Sequence, residues 1–403
     1  MRILFIHQNF PGQFQHLAGA LAADPANDVL FITKRTDRRM RGVKILAYKP
    51  ARSPSPETHF YLRRFEDAVI HGQAVAGGLQ SLKTHGYRPD LIVGHPGWGE
   101  LLFAKDIFPD APLLNYCEYY YENGEADLDP ETGEPLILEA RLHRRVDNAR
   151  LLLPLEAADR GLSPTRWQKS RHPAHYQDKI EVIFDGVDAV GVRPDPVARF
   201  ELPDGGVITA EDEVITYTVR GLEPYRGYPQ LIRALPAILK ARPNAVVVIA
   251  GEDRVCYGSP RRDGLTWRQA MAQEIELDPA RVRFVGWLPK ARYVRLLQVS
   301  RVHLHLCVPF VLSWSAIEAM SAGCAIVASD NAPVREFMRH GENALLVDHD
   351  DPDALIAAIE QAAAPERAAE LRQAARADVE RAWALDVCLP RQLRLVRELA
   401  GTA

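Results

Sequence analysis

Short apolar runs of four to seven residues recur along the chain, each followed by a longer stretch in which apolar residues return every three or four positions. The runs at 2–7, 29–33, 44–47, 90–94, 112–117, 150–154 and 179–184 read as strands. Most are continuous in Val, Ile and Leu rather than alternating, as expected of parallel strands covered on both faces. Helical spacing fills the gaps at 13–23, 56–83 and 135–148. Alternation of this kind predicts an α/β layer with a doubly wound parallel sheet.

The rhythm breaks between Gly186 and Asp212, where Pro194, Pro196, Pro203 and the pair Gly205-Gly206 interrupt it. Strands are expected again at 214–219, 245–250, 281–285, 302–306, 325–328 and 344–347, with helices at 228–241, 267–276, 290–300 and 353–362. The pattern predicts two similar Rossmann-like halves facing each other across a cleft: a first domain over 1–188, a linker over 189–212 and a second domain over 213–383. A final helix near 384–403 is expected to pack back on the first domain. At 403 residues, two domains is also what chain length favours.

Composition narrows the function. A formal net charge of −4 gives no reason to expect a nucleic-acid partner. No run approaches the ~20 apolar residues of a membrane-spanning helix, and the apolar run at 3–6 is too short for a secretory leader. The five cysteines are scattered without a C-x-x-C pair, so neither a zinc site nor a disulfide framework is expected, and a reducing cytoplasm is the simple reading.

Two segments carry the strongest chemical signal. In residues 309–330 a strand leads through a loop into a helix that opens near Ser313, Trp314 and Ser315 and ends at Gly323. A helix start at a strand's carboxyl end presents unpaired N–H groups and a positive dipole end, which suits a diphosphate. Glu318, a turn further on, offers a carboxylate to ribose hydroxyls; the spacing Ser315…Glu318 equally fits a capping box, and both readings stay open. In residues 218–228, Arg220 and Arg226 bracket a turn at a strand end, where two guanidinium groups could neutralise a departing diphosphate.

Other features are weaker. Gly12 lies in the first strand–helix turn, His95 ends another strand, and Glu118 stands in the aromatic run 115–121. Asp127-Leu128-Asp129 and Asp348-His349-Asp350 imitate a metal-binding D-x-D, although Asp350 or Asp351 reads as the cap of a helix starting at Pro352, and no metal is expected. The basic run Lys34, Arg35, Arg38, Arg39 and Arg41 reads as a solvated loop or as a peripheral membrane contact at the inner face.

Taken in order, these motifs resemble glycosyltransferase family 4, a retaining family with the GT-B fold. The chain carries Arg220-Gly221-Leu222…Arg226-Gly227, Glu318-Ala319-Met320, Asp185-Gly186-Val187-Asp188, Ala250-Gly251-Glu252-Asp253 and Gly341-Glu342-Asn343-Ala344. It departs from the family pattern at three places. Phe310 stands where the first glutamate of a Glu-x7-Glu pair is expected, Arg226 replaces a lysine, and Arg220-Gly221 inverts the common order. The segments 10–14 and 309–315 resemble a branch of the family that lacks that glutamate.

The resemblance implies transfer of a sugar from a nucleotide-diphosphate donor to a glycan, lipid-linked or other hydroxyl acceptor, with configuration retained and no metal or other cofactor. It places the process in cell-surface polysaccharide or glycoconjugate synthesis. Arg220 and Arg226 would stabilise the leaving diphosphate, Gly12 and Ser313–Ser315 would touch the donor, and Glu318 would hold ribose. His95 and Glu118 would face the acceptor, Glu118 being the base if one is used. The alternatives are a nucleotide-sugar epimerase of the same fold and a non-catalytic nucleotide-sugar-binding module.

Overall fold

The computed structural model describes residues 1–122, 129 and 136–402. The expected helix at 135–148 begins, within the described residues, at Leu138; Asp127 and Leu128 of the first D-x-D lie outside them. The chain divides into two compact units. One comprises residues 1–127, 135–185 and 386–403; the other comprises 128–134 and 186–385.

The first unit is built on a seven-stranded sheet, β1 (Arg2–Ile6), β2 (Asp28–Thr33), β3 (Val43–Ala47), β4 (Leu91–Gly94), β5 (Leu113–Tyr116), β6 (Arg160–Ser163) and β7 (Ile180–Val182). Its order is β3-β2-β1-β4-β5-β6-β7, with every pairing parallel. Strand β1 shows why the pattern is so legible, because Ile3, Leu4, Phe5 and Ile6 are all fully buried. Ile3 and Phe5 pack into one cluster while Leu4 and Ile6 pack into another, so both faces of the strand meet apolar neighbours. The helices include α1 (Gln15–Ala23), α2 (Arg63–Thr84), α3 (Leu138–Asp147) and α4 (Ala149–Ala157).

The apolar run at 150–154, expected as a strand, lies inside α4, and the strand sits instead at β6. A short apolar run has no periodicity of its own to separate the two states. Here Leu151 and Leu155, four apart, take the buried side while Leu153 is exposed, which is a helical pattern. Helix α2 likewise starts later than expected, at Arg63, after a loop containing Pro54 and Pro56. The C-terminal helix (Leu385–Leu399) packs Leu395 and Val396 against Ile3, Phe5 and Phe14.

The second unit carries a parallel sheet of order β12-β11-β10-β13-β14-β15. After the small antiparallel pair β8 (Arg199–Glu201) and β9 (Val207–Thr209), its strands are β10 (Val214–Gly221), β11 (Val246–Glu252), β12 (Val282–Gly286), β13 (Val302–His305), β14 (Ala325–Ser329) and β15 (Leu345–Val347). Its helices include α5 (Tyr228–Ala241), α6 (Lys290–Gln298), α7 (Trp314–Ala322) and α8 (Pro352–Ala363). Residues 189–212, read from sequence as a linker, hold the β8–β9 pair in the structure. Phe200, Leu202 and Ile208 are buried against Val214, Val248 and Leu296, so prolines in this stretch mark a packed hairpin's approach.

Both sheets reverse direction of winding at one point, between β1 and β4 and between β10 and β13. Crevices for ligands form beyond the carboxyl ends of strands at such switch points.

Candidate active site

The switch point of the first unit is occupied by histidines. His7 follows β1 and His95 follows β4, and their ring centroids lie 4.8 Å apart. Each ring is oriented by a backbone N–H two residues further on: Asn9 donates to His7 Nδ1 at 3.0 Å, and Gly97 donates to His95 Nδ1 at 3.0 Å. An Nδ1 that accepts leaves the proton of the neutral ring on Nε2. His7 Nε2 therefore donates to Gln13 Oε1 at 2.7 Å, and His95 Nε2 donates to Glu118 Oε2 at 3.0 Å. Gln13 Nε2 donates to Glu118 Oε1 at 2.7 Å, closing the chain His7–Gln13–Glu118–His95.

Glu118 thus has a donor on each carboxylate oxygen. Burial raises its pKa, but the hydrogen bonds from His95 and Gln13 outweigh that and hold the carboxyl below its ordinary range. Gln168 also bonds the Glu118 carbonyl, which fixes the backbone. His7 is fully buried, and burial with the neighbouring His95 pushes its pKa down to about 3. Gly12, at φ +56°, packs against this ring; a Cβ there would lie 2.6 Å from His7 Nε2. Gly12, His95 and Glu118 are therefore one group, and His7 and Gln13 are members that sequence reading did not assign. The available signal was position: His7 ends the first apolar run as His95 ends the fourth.

The switch point of the second unit gathers the other candidates. Ser313 caps α7, its Oγ accepting from the Ser315 N–H at 3.4 Å and lying 2.8 Å from Ser315 Oγ. Ser315 Oγ reaches back to the Thr218 carbonyl near the end of β10, at 3.5 Å. The capping-box reading of Glu318 fails, because the cap is Ser313 and Glu318 lies beyond the first turn. Its carboxylate instead pairs with Lys290 at the start of α6. Trp314 is 37 % exposed at the helix start.

Arg226 is buried, whereas Arg220 is exposed at the carboxyl edge of β10. The Arg226 guanidinium donates to the Val311 carbonyl at 3.0 Å and stands 4.8 Å from the Tyr257 ring centroid and 5.9 Å from that of Phe310. Phe310, where a sugar-reading glutamate was expected, is thus part of the aromatic wall around Arg226 with Tyr225 and Tyr257. A planar cation suits this stacked position better than an ammonium would.

Behind the wall lies Glu223, fully buried and unnoticed in the sequence. Its carboxylate receives the backbone N–H groups of Cys256 at 3.0 Å, Tyr257 at 3.1 Å and Gly258 at 2.8 Å. It therefore anchors the loop that carries Tyr257.

Asp351 caps α8 through the N–H groups of Asp353 and Ala354. Asp348, His349 and Asp350 bring one ligand atom each within 4.8 Å of one another on the surface. The Asp350 N–H bonds Asp348 Oδ1 at 3.0 Å, as in an ordinary turn.

Comparison with known proteins follows the two units. The model of the Glycosyl transferase family 4 group matches residues 25–192, and that of Glycosyl transferases group 1 matches residues 206–378. D-inositol 3-phosphate glycosyltransferase of Acidothermus cellulolyticus is 26% identical over 341 residues, covering 81% of this chain and 70% of its own. Phosphatidyl-myo-inositol mannosyltransferase of Mycobacterium tuberculosis is 29% identical over 198 residues, covering 48% of this chain and 45% of its own. Among solved structures, sucrose-phosphate synthase from Thermosynechococcus elongatus superposes with a TM-score of 0.73 at 17% identity, over 100% of both chains. HepE of Anabaena in complex with UDP-glucose gives 0.67 at 16% identity, over 99% of this chain and 100% of its own. With both units matched in order and the two-sheet GT-B fold in place, the chain belongs to glycosyltransferase family 4 and is a sugar-transferring enzyme.

Proposed function

We propose that this enzyme transfers a glycosyl group from a nucleotide-diphosphate sugar to an acceptor hydroxyl, with retention of configuration. The observation that carries the reading is the joining of Arg226 to the capped start of α7 at the carboxyl ends of β10 and β13. A buried guanidinium beside a helix N-terminus concentrates positive potential where a leaving diphosphate gains charge. Arg220, exposed at the same strand end, adds a second cation. Glu318, paired with Lys290, presents an acceptor for ribose hydroxyls. The structural neighbour HepE is seen with UDP and UDP-glucose, which supports a nucleotide-sugar donor.

The acceptor is assigned to the first unit, with His95 and Glu118 meeting it. His95 Nδ1 is taken up by the Gly97 N–H, which leaves Nε2 to face Glu118, and Glu118 keeps acceptor capacity on both oxygens. The leaving diphosphate oxygen takes the acceptor's proton on the same face of the sugar, so these groups orient the hydroxyl and steady the charge. The named relatives act on inositol-containing acceptors, which supports a polyol or lipid-linked acceptor for glycoconjugate synthesis.

A thermal-shift panel of nucleoside diphosphates and their sugars tests this. A ligand at about 100 times its Kd stabilises by about 2.7 kcal/mol, an easily seen shift. If no nucleoside diphosphate raises the melting temperature, the donor assignment fails. Release of nucleoside diphosphate that requires an added acceptor separates transfer from epimerisation.

A further inference from the structure

Gln13 sits in the single turn Gly12–Phe14 between β1 and α1. Phe14 is buried, its ring 5.4 Å from that of Phe5 and 5.7 Å from that of Tyr116, and Gly12 lies against the His7 ring. Packing thus fixes the residues on either side of Gln13. Its amide reaches His7 at one end and Glu118, 105 residues further along the chain, at the other.

His7 decides which end of the amide faces which partner. The Asn9 N–H occupies His7 Nδ1, so the neutral ring carries its proton on Nε2. That proton needs an oxygen, which turns Gln13 Oε1 towards His7 and leaves Nε2 to donate to Glu118. A reversed amide would set N–H against N–H and oxygen against carboxylate. Full burial keeps His7 neutral, with its pKa pushed down to about 3.

We propose that Gln13 is a positioning residue for the transfer: oriented by His7, its amide holds the Glu118 carboxylate in place to receive the acceptor hydroxyl. This rests on the reading that His95 and Glu118 meet the acceptor. The Glu118 side chain is 33% exposed while His7 and His95 are buried, so of these three it is the one a hydroxyl can reach. Each of its oxygens has a donor, and the two donors are fixed by different means. The His95 ring stacks with those of Trp98 and Tyr116, at 5.0 and 5.6 Å, whereas Gln13 has His7 behind it. An amide donor carries no charge, so it steadies the carboxylate without drawing it into an ion pair as lysine or arginine would. The lone pairs left over then serve the hydroxyl. The titratable groups that bear on Glu118 are His7 and His95 from the neighbouring strand ends and Tyr116 and Tyr121 from its own stretch.

Carboxyl 13C and ring 15N spectra of the full chain, labelled at Glu and His, test the assignment, the Glu118 signal being identified by its loss in Glu118→Gln. In the parent, His7 should carry its proton on Nε2 and the Glu118 carboxyl should titrate below the ordinary carboxylate range. Gln13→Met keeps the length of the side chain and removes both bonds, so the affinity of Glu118 for a proton should rise about tenfold or more. Gln13→Glu keeps the acceptor for His7 but sets a second carboxylate against Glu118, and the rise should be larger. A role in packing alone would leave the Glu118 titration unmoved in Gln13→Met. With UDP-glucose and myo-inositol as probes, both variants should raise KM for the polyol and leave KM for the donor as it was. The proposal is overturned if Gln13→Met leaves the Glu118 titration or the polyol KM as in the parent. It is equally overturned if His7 carries its proton on Nδ1 or Glu118 titrates in the ordinary range, and these two readings of the parent decide even where Gln13→Met does not fold. A parent whose melting UDP does not shift counts against the nucleotide-sugar donor instead, and leaves the Glu118 titration to decide on Gln13.

Discussion

Replacing Glu223 with glutamine removes one negative charge while leaving the side chain almost the same size. In the structure Oε1 receives the N–H of Cys256 and Tyr257, while Oε2 receives those of Tyr257 and Gly258. An amide keeps one acceptor oxygen and turns the other position into a donor. Whichever way it is placed, the N–H of Cys256 or Gly258 then faces another donor, and the surviving bonds lose their charge assistance. Losing one bond to a charged group costs about 1.5–3 kcal/mol, and the weakening of the rest brings the sum to roughly 3 kcal/mol. For a unit of this size each kcal/mol moves the midpoint by ~2–4 °C, so the second unit should melt roughly 6–12 °C lower. The loosened loop should also let Tyr257 leave Arg226, so nucleoside diphosphate affinity should fall along with stability. Scanning calorimetry and a binding titration on the same variant give both readings. A midpoint within about 2 °C of the parent would show that the carboxylate is not the loop's anchor.

Arg226→Ala should lower kcat/KM by about 10- to 150-fold, the cost of one charge-assisted contact at the transition state; a fall of less than about threefold would remove Arg226 from the chemistry. Glu318→Gln should raise donor KM with little change in melting, because its Lys290 partner is well exposed and such pairs contribute only ~0–1 kcal/mol; a lowered midpoint with unchanged KM would return Glu318 to a structural role. Acid should destabilise the first unit. His7 and His172 are held by burial at pKa values of about 3 and 4, so the unfolded chain binds more protons below its ordinary value of 6.5. Their contribution is whole above that value and is lost as pH falls towards the folded values, by about 2 kcal/mol per group on reaching pH 5. A melting temperature unchanged between pH 7 and pH 5 would contradict this.

Most strands were legible because parallel strands buried on both faces leave unbroken apolar runs, as in Ile3–Ile6 and in β14, where all five residues are buried. The run at 150–154 misled because four or five apolar residues fit either state, and only the tertiary partners of Leu151 and Leu155 decide. The hairpin within 189–212 was hidden by its prolines, since turn chemistry looks the same whether or not Phe200 finds a core behind it. In the site, Arg226 and Ser313 could be singled out because their motifs are local. Glu223 could not, for its partners stand more than thirty residues away and are backbone N–H groups that any sequence supplies. Nor could the pairing of Glu318 with Lys290, or of Gln13 with Glu118, be read without the fold that brings them together.

The C-terminal helix has a consequence for biogenesis. Leu395 and Val396 fill the same core as Ile3, Phe5 and Phe14, yet residues 186–385 lie between them in the chain. At synthesis rates of about 5–20 residues per second, that interval lasts roughly 10–40 s. Residues 186–385 of the second unit are one run of chain and can close as they emerge, while the first unit stays open along one side until its last helix arrives. During this wait the β1–α1 face is bare apolar surface, the kind of exposure that makes a partly folded chain prone to aggregation.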